Sequence, residues 1–234
     1  MSKKYKGKTC VYCSSATADC GEHVFSRKFF LTRDRQGLPK VPGCGSCNTH
    51  KSELELYALA VLPFGGRHTT AEENLSTMVL PRLEKNAPLK RQLGAGVNKR
   101  VVAAESGLLY PAMGVPMDAK PLMELSELIG RGLLWYHWQR LLDVGTPISA
   151  FTLDRRGEGT FRGVFESHAS ERVAETLGNG TVHYEGFLVT RRDGWRAGWR
   201  IEMYGGVAMA DLKRPGAISN CIWVVIGDSG EFAT

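Results

Sequence analysis

Two pairs of cysteines constrain the fold of this chain more than any other sequence feature. Cys10 and Cys13 form one C-x-x-C pair, and Cys44 and Cys47 form a second. In a protein without disulfides, two such pairs are typical of a zinc site with four thiolate ligands. The thirty residues between the pairs exceed the spacer of about 15–20 residues that is usual in zinc ribbons. The chain must therefore fold an inserted segment between the two halves of a metal site.

The length and composition are those of an ordinary globular protein. The chain has 234 residues, of which 43% are hydrophobic and 23% charged, enough for one large domain or two small ones. Its apolar runs are shorter than the roughly 18 residues of a membrane span, and no apolar signal segment follows the basic N-terminus. We therefore expect a cytoplasmic protein without a membrane partner, in which structural disulfides are disfavoured.

Positive charge is concentrated in the first part of the chain. Residues 1–100 carry 17 Lys and Arg against 8 Asp and Glu, whereas residues 101–234 carry 13 against 16. A basic segment joined to a mildly acidic one indicates that the first part contacts a polyanion, although a solvated basic surface would have the same composition. We predict two domains, 1–100 and 101–234, with nucleic acid as the partner of the first.

Local patterns predict a strand and two helical regions in the first domain. The stretch "GEHVF" is typical of a short strand, and the Gly and Pro residues of "LTRDRQGLPKVPG" predict a loop. A helix is expected to begin at Asn48 and to end at Pro63. A second helical region, 71–86, should be kinked or split at Pro81. The stretch 94–118 is rich in small residues and is expected to be a linker or arm.

The second domain combines one long helix with several strands. The apolar spacing of 121–143 predicts the helix. Strands are predicted in "TPISAFTL", "GTFRGVFES", "GTVHYEGFLVT", "GWRAGWRIEMYGG" and "NCIWVVIG". The overall fold class is therefore α+β, with a C-terminal helix packed on an antiparallel sheet.

The residues around the cysteine pairs resemble a known family. Glu22 and His23 lie between the two pairs, Asn48 directly follows the second pair, and Lys51 lies one helical turn further on. This constellation resembles the HNH, or His-Me finger, endonucleases, in the subgroup whose ββα-metal core is stapled by zinc. The resemblance covers residues 10–64, about a quarter of the chain. It implies an N-terminal zinc-stapled, treble-clef-like ββα-metal nuclease domain followed by helices.

The resemblance implies a role for each of the three residues. His23 would be the base that deprotonates water, and Glu22 and Asn48 would bind a catalytic Mg²⁺ or Mn²⁺. These roles suit the chemistry, because an imidazole titrates near neutral pH and carboxylate and amide oxygens are hard ligands. Hydrolysis of a phosphodiester needs such a base and such a cation.

Two features depart from the family pattern. Glu22 occupies a position where Asp is more usual, and its longer side chain would shift the metal or admit a water. The middle Asn, which orients the base, is missing, since residues 24–47 contain no Asn. The main chain of Lys40 or Val41 could orient His23 instead.

Simpler structural roles are alternatives for two of these residues. His23 could be a histidine satisfied inside the core. Asn48 could be no more than a helix N-cap, a position that Asn favours.

Basic residues of the first domain are candidates for contacts with phosphate. Each could equally be a solvated surface residue. The candidates are Lys51, Arg67, His68, Lys90, Arg91, Lys99 and Arg100.

The function that we expect is that of a metal-dependent HNH endonuclease with a structural zinc. It would hydrolyse phosphodiester bonds, with DNA as the expected substrate, through a water activated by His23. A non-catalytic zinc-binding nucleic-acid module is the main alternative. The C-terminal domain could select a substrate, form a homodimer, or sense a ligand that regulates the nuclease.

Overall fold

A computed structural model of the chain describes residues 4–103, 109–192, 194–210 and 218–227. Within these ranges, the side chains at 82, 89, 92, 98–103, 109–113 and 210 are outside the description.

The described residues form a mixed α+β fold. The helices are α1 (Gly45–Val61), α2 (Thr69–Asn74), α3 (Leu80–Lys85), α4 (Ala87–Gly96), α5 (Ala119–Trp138) and α6 (Arg155–His168). The strands of the first half are β1 (Cys20–His23), β2 (Lys40–Gly43), β3 (Asn98–Ala103) and β4 (Leu109–Gly114). Those of the second half are β5 (Ile148–Phe151), β6 (Glu171–Leu177), β7 (Val182–Arg191), β8 (Gly194–Met203), β9 (Met209–Ala210), β10 (Ile218–Ser219) and β11 (Ile222–Ile226).

A five-stranded antiparallel sheet forms the centre of the second half. Its strand order is β5-β11-β8-β7-β6. One face buries Tyr184, Trp199 and Val224 in the same cluster as apolar side chains of α5 and of the first half of the chain. The other face buries Phe187 and Trp223 against α6. Because both faces are covered, every residue of β11 is buried, as the continuous apolar run in its sequence requires.

Helix α5 lies between the sheet and the first half of the chain, and two glycines allow the close approach. A Cβ added at Gly130 would lie 2.7 Å from Val224 Cγ1 of the sheet, and one added at Gly132 would lie 3.0 Å from Val24. One buried cluster therefore includes residues from both sides of position 100. The division into two domains stays a prediction.

Adding a methyl group at Gly130 is expected to destabilise the protein. Gly130→Ala should lower the free energy of unfolding by about 1–3 kcal/mol, because the new Cβ overpacks the contact with Val224. Gly163 on α6 is the matched control, since nothing lies within 4 Å of its added Cβ. Gly163→Ala should leave stability unchanged or raise it by about 0.5–1 kcal/mol. Urea unfolding of both variants makes the comparison, and equal midpoints would contradict the packing described for α5.

The structure agrees with several sequence predictions and corrects others. The strand in "GEHVF" is β1, the helix expected from Asn48 is α1, and a turn of π-helix at Leu75–Val79 divides the 71–86 region just before Pro81. The predicted loop "LTRDRQGLPKVPG" instead ends in strand β2, which pairs antiparallel with β1. The expected arm at 94–118 contains the antiparallel hairpin β3–β4.

The segment "GTFRGVFES" was predicted as a strand and is part of helix α6. Asp154 caps this helix by accepting a hydrogen bond from the backbone N–H of Gly157 at 2.7 Å. Phe161 and Phe165 are spaced four residues apart, and both pack in the cluster on the outer face of the sheet. The cap and the four-residue spacing of the two aromatic side chains favour a helix.

Among the described residues, no helix combines the length and the apolar character that crossing a membrane requires.

Candidate functional site

The four cysteines of the two pairs lie together. Their sulfur atoms are all within 4.8 Å of one another, and none of them forms a disulfide. Cys10 and Cys13 lie in the turn before β1, whereas Cys44 is the N-cap of α1 and Cys47 lies in its first turn. The predicted cluster is therefore confirmed as a group that can hold a metal ion such as zinc, a metal that commonly binds four thiolates.

Backbone N–H groups are already directed at the sulfur atoms. The N–H of Cys44 donates to Cys10 Sγ at 3.3 Å, and the N–H of Ala16 donates to Cys13 Sγ at 3.5 Å. Burial raises the pKa of Cys10, and burial together with the Cys44 side chain raises the pKa of Cys47. As thiolates, four sulfur atoms so close together would need a cation, and these N–H donors support the charged form.

Glu22 and Asn48 meet beside this cluster. In the orientation that makes hydrogen bonds, the Asn48 amide nitrogen donates to the two Glu22 oxygens at 2.7 and 3.2 Å. With the amide turned the other way, oxygen faces oxygen, a contact that is satisfied only by a proton on Glu22 or by a cation. Asn48 is not the N-cap of α1, because Cys44 holds that position. The alternative role of Asn48 as a cap therefore fails, and its side chain is directed at Glu22.

Lys51 is not on the surface, and the expectation that it contacts phosphate must be corrected. Its side chain is 0% exposed. The ammonium donates to the backbone oxygen of His23 at 2.8 Å, pairs with Glu55 and lies 3.6 Å from Glu22 Oε1. A buried ammonium is stable only with such partners, so Lys51 ties α1 to the end of β1.

Two carboxylates share the buried ammonium of Lys51. Two carboxylates, Glu22 and Glu55, surround the single ammonium of Lys51. Burial raises the pKa of Glu22, and the nearby Lys51 opposes this effect. The charge of Lys40 also acts on Glu22, in the same direction as that of Lys51. The structure thus brings the carboxylate of Glu22 and the amide group of Asn48 together. A catalytic Mg²⁺ or Mn²⁺ at this pair stays a prediction.

His23 is neutral and half-buried at the end of β1. Burial, and then the charges of Lys40, Arg27 and Lys51, lower the pKa of His23 to about 4. Its Nδ1 is buried without a hydrogen-bond partner among the described residues. Lys40 lies opposite His23 in the β1–β2 ladder, yet neither its main chain nor that of Val41 orients the ring. A buried unpartnered ring nitrogen needs an explanation, and a catalytic role is one.

The other predicted phosphate contacts lie just before α2, on α4 and on β3. Arg67 is exposed, whereas His68 is the N-cap of α2 and accepts a hydrogen bond from the N–H of Thr70 at 3.2 Å. A structural role therefore explains His68. Lys90 and Arg91 are exposed on α4. Lys99 and Arg100 are on β3, with side chains outside the described part of the structure.

Sequence reasoning missed several residues around the site. Glu55 is one, although its position four residues after Lys51 on a helix is a signal for an ion pair. Tyr12 is another: its ring is buried, and the ammonium of Lys51 lies 5.9 Å from its centroid. Burial, followed by Glu22, raises the pKa of Tyr12, so this phenol stays protonated.

Two surface cavities formed by described residues lie away from the five-stranded sheet. One is lined by Leu31, Thr32, Arg33, Glu73, Thr77 and Met78. The other is lined by Ala95, Gly96, Pro116, Met117 and Asp118. A ligand-sensing role for the second half of the chain stays a prediction.

Comparison of the chain with protein-family models, curated proteins and solved structures gave no significant match.

Proposed function

We propose that this protein is a metal-dependent endonuclease of the HNH type that hydrolyses phosphodiester bonds in DNA. One observation carries the proposal: the amide group of Asn48 lies 2.7 Å from a carboxylate oxygen of Glu22, beside a four-cysteine cluster and with the neutral imidazole of His23 next in the chain. A module that only bound zinc and nucleic acid would need none of these three side chains. The net positive charge of residues 1–100 supports a nucleic acid as the substrate.

The cysteine cluster would hold a structural zinc. Such an ion would join the turn before β1 to the first turn of α1, since each element supplies two of the sulfur atoms. Glu22 lies on β1 and Asn48 on α1, so this link would fix the two side chains relative to each other. The zinc therefore organises the site without taking part in the reaction.

His23 acts as the general base. The imidazole accepts a proton from a water molecule, whose oxygen forms a new bond to phosphorus as the bond from phosphorus to the 3′ oxygen breaks. The leaving oxygen takes a proton from solvent, and the products have a 5′-phosphate and a 3′-hydroxyl. When bound at Glu22 and Asn48, Mg²⁺ or Mn²⁺ supplies positive charge for the phosphate in the transition state.

A non-catalytic zinc-binding nucleic-acid module is the second candidate. Two observations favour it. The ammonium of Lys51 lies 3.6 Å from Glu22 and competes with a divalent cation for that carboxylate. The His23 ring also lacks an orienting partner at Nδ1 among the described residues.

Asn48→Ala separates the two candidates through its metal dependence. Removing the amide oxygen should raise the Mg²⁺ concentration needed for half-maximal cleavage by at least about tenfold, the effect expected when a metal site loses a supporting group. Added Mg²⁺ or Mn²⁺ should then restore part of the activity. Glu22→Asp keeps the carboxylate and should retain activity.

Thr49→Ala is the matched control for this experiment. Thr49 is the exposed neighbour of Asn48, and its hydroxyl donates to the backbone oxygen of Gly45. Its substitution should leave the metal dependence unchanged. A wild-type protein that binds DNA and retains zinc but never cleaves would favour the non-catalytic module.

A further inference from the structure

The segment that runs from the end of β1 to the first residue of β2 carries three cations that no role assigned so far uses. Arg27 and Lys28 are exposed, and Lys40 is half-buried. None of them forms an ion pair or a side-chain hydrogen bond with another described residue. The other two cations of the segment are engaged. Arg33 makes two hydrogen bonds to Glu73, at 2.9 and 2.7 Å, and Arg35 donates to the backbone oxygen of Phe30 at 3.1 Å.

Lys40 is directly opposite His23 in the antiparallel ladder. Side chains of directly opposed residues are on the same face of a sheet, with their Cβ atoms about 4.5–5.5 Å apart. Arg27 begins the short 3₁₀ helix that follows β1, four residues after His23. Lys40 therefore lies beside His23, and Arg27 follows on the next short helix. Neither forms an ion pair with a described carboxylate, although the charge of Lys40 also acts on Glu22.

We propose that Arg27 and Lys40 bind backbone phosphates of the nucleic acid beside His23, with Lys28 extending the same basic surface. The inference rests on the proposed function, because it treats His23 as the point to which the strand is brought. An arginine and a lysine directed at phosphate oxygens form charge-assisted hydrogen bonds that fix the position of the strand. The contacts are independent of base sequence, since the phosphate is common to all nucleotides.

This surface differs from the one that the sequence favoured. Lys90 and Arg91 are equally exposed, but they lie on α4, and none of the contacts described for them includes Glu22, His23 or Asn48. They therefore provide a control with the same change of charge at another place in the protein.

The test is the salt dependence of binding, measured without cleavage. A fluorescently labelled DNA duplex is titrated with the full-length protein in buffer without added divalent metal, at a series of salt concentrations. The double variant Arg27→Gln/Lys40→Gln should bind more weakly, and the slope of log K against log salt should fall by about 2, or about 1 for each lost phosphate contact. Lys90→Gln/Arg91→Gln should change the slope by less. Zinc content and circular dichroism verify that both variants are folded.

The outcomes separate this inference from the proposed function. If the wild type cleaves DNA but Arg27→Gln/Lys40→Gln keeps the wild-type slope, the proposed phosphate contacts are wrong and the proposed nuclease activity is supported. If the wild type does not cleave DNA but the slope of log K against log salt falls by about 2 in Arg27→Gln/Lys40→Gln, the phosphate contacts are supported and the proposed nuclease activity is wrong. A larger loss in Lys90→Gln/Arg91→Gln than in Arg27→Gln/Lys40→Gln would also overturn the inference.

Discussion

Replacing Cys44 by serine is expected to release the bound metal and to unfold the first half of the chain. Cys44 is both one of the four clustered thiols and the N-cap of α1. In small zinc domains the metal supplies much of the folding free energy, about 10–16 kcal/mol of apparent binding free energy in zinc-finger peptides. We therefore expect Cys44→Ser to lower the free energy of unfolding by more than about 4 kcal/mol, as the loss of a structural metal does.

Cys20→Ser is the matched control for the metal site. Cys20 is on β1, and its thiol is directed at the backbone oxygen of Gly43 rather than at the cluster. This variant should keep one zinc per chain by elemental analysis and nearly the wild-type unfolding midpoint. Wild-type protein that is purified without zinc, or equal stability of the two variants, would contradict the metal site.

His23→Ala is expected to abolish cleavage while leaving the rest of the site in place. Loss of a general base typically costs about 10²–10⁴-fold in rate. Glu22 and Asn48, which would bind the catalytic metal, are unchanged, and the four cysteines lie elsewhere. DNA affinity and zinc content should therefore stay at the wild-type values. The measurement is single-turnover cleavage of a labelled duplex at saturating Mg²⁺.

His183→Ala is the matched control, because it removes a histidine that lies away from the candidate site. His183 is on β7 of the five-stranded sheet and makes a hydrogen bond to Thr176 at 3.0 Å. Its removal should leave the cleavage rate unchanged. Cleavage by His23→Ala at the wild-type rate would show that His23 is not the base.

The metal cluster and its two flanking elements were predictable because spacing alone specifies them. A metal with four sulfur ligands requires both C-x-x-C pairs at one point, whatever the length of the insertion. The pairs in turn fix where β1 and α1 begin relative to each other. The approach of Asn48 to Glu22 follows from this geometry, since one residue directly follows the second pair and the other lies between the pairs.

The environment of the site was not predictable to the same degree. Lys51 was expected on the surface because lysine is rarely buried, and only the ion pair with Glu55 and the carbonyl of His23 make its burial stable. The basic surface of Arg27 and Lys40 depends on the register of β1 against β2. Pro42 in a predicted loop gave no signal for that pairing. Such pairing is tolerated here because β1 and β2 form a two-stranded sheet in which both strands are edges.

Cleavage of supercoiled plasmid by the wild-type protein tests the central claim most directly. The plasmid is incubated with wild-type protein in the presence of Mg²⁺ or Mn²⁺ and, separately, without added metal. A third reaction contains His23→Ala and the metal. The zinc content of each protein is measured in parallel. The account predicts nicked and then linear DNA with 5′-phosphate ends, only when Mg²⁺ or Mn²⁺ is added, and no conversion by His23→Ala. Intact plasmid under every condition, from protein that retains zinc and binds DNA, would contradict it.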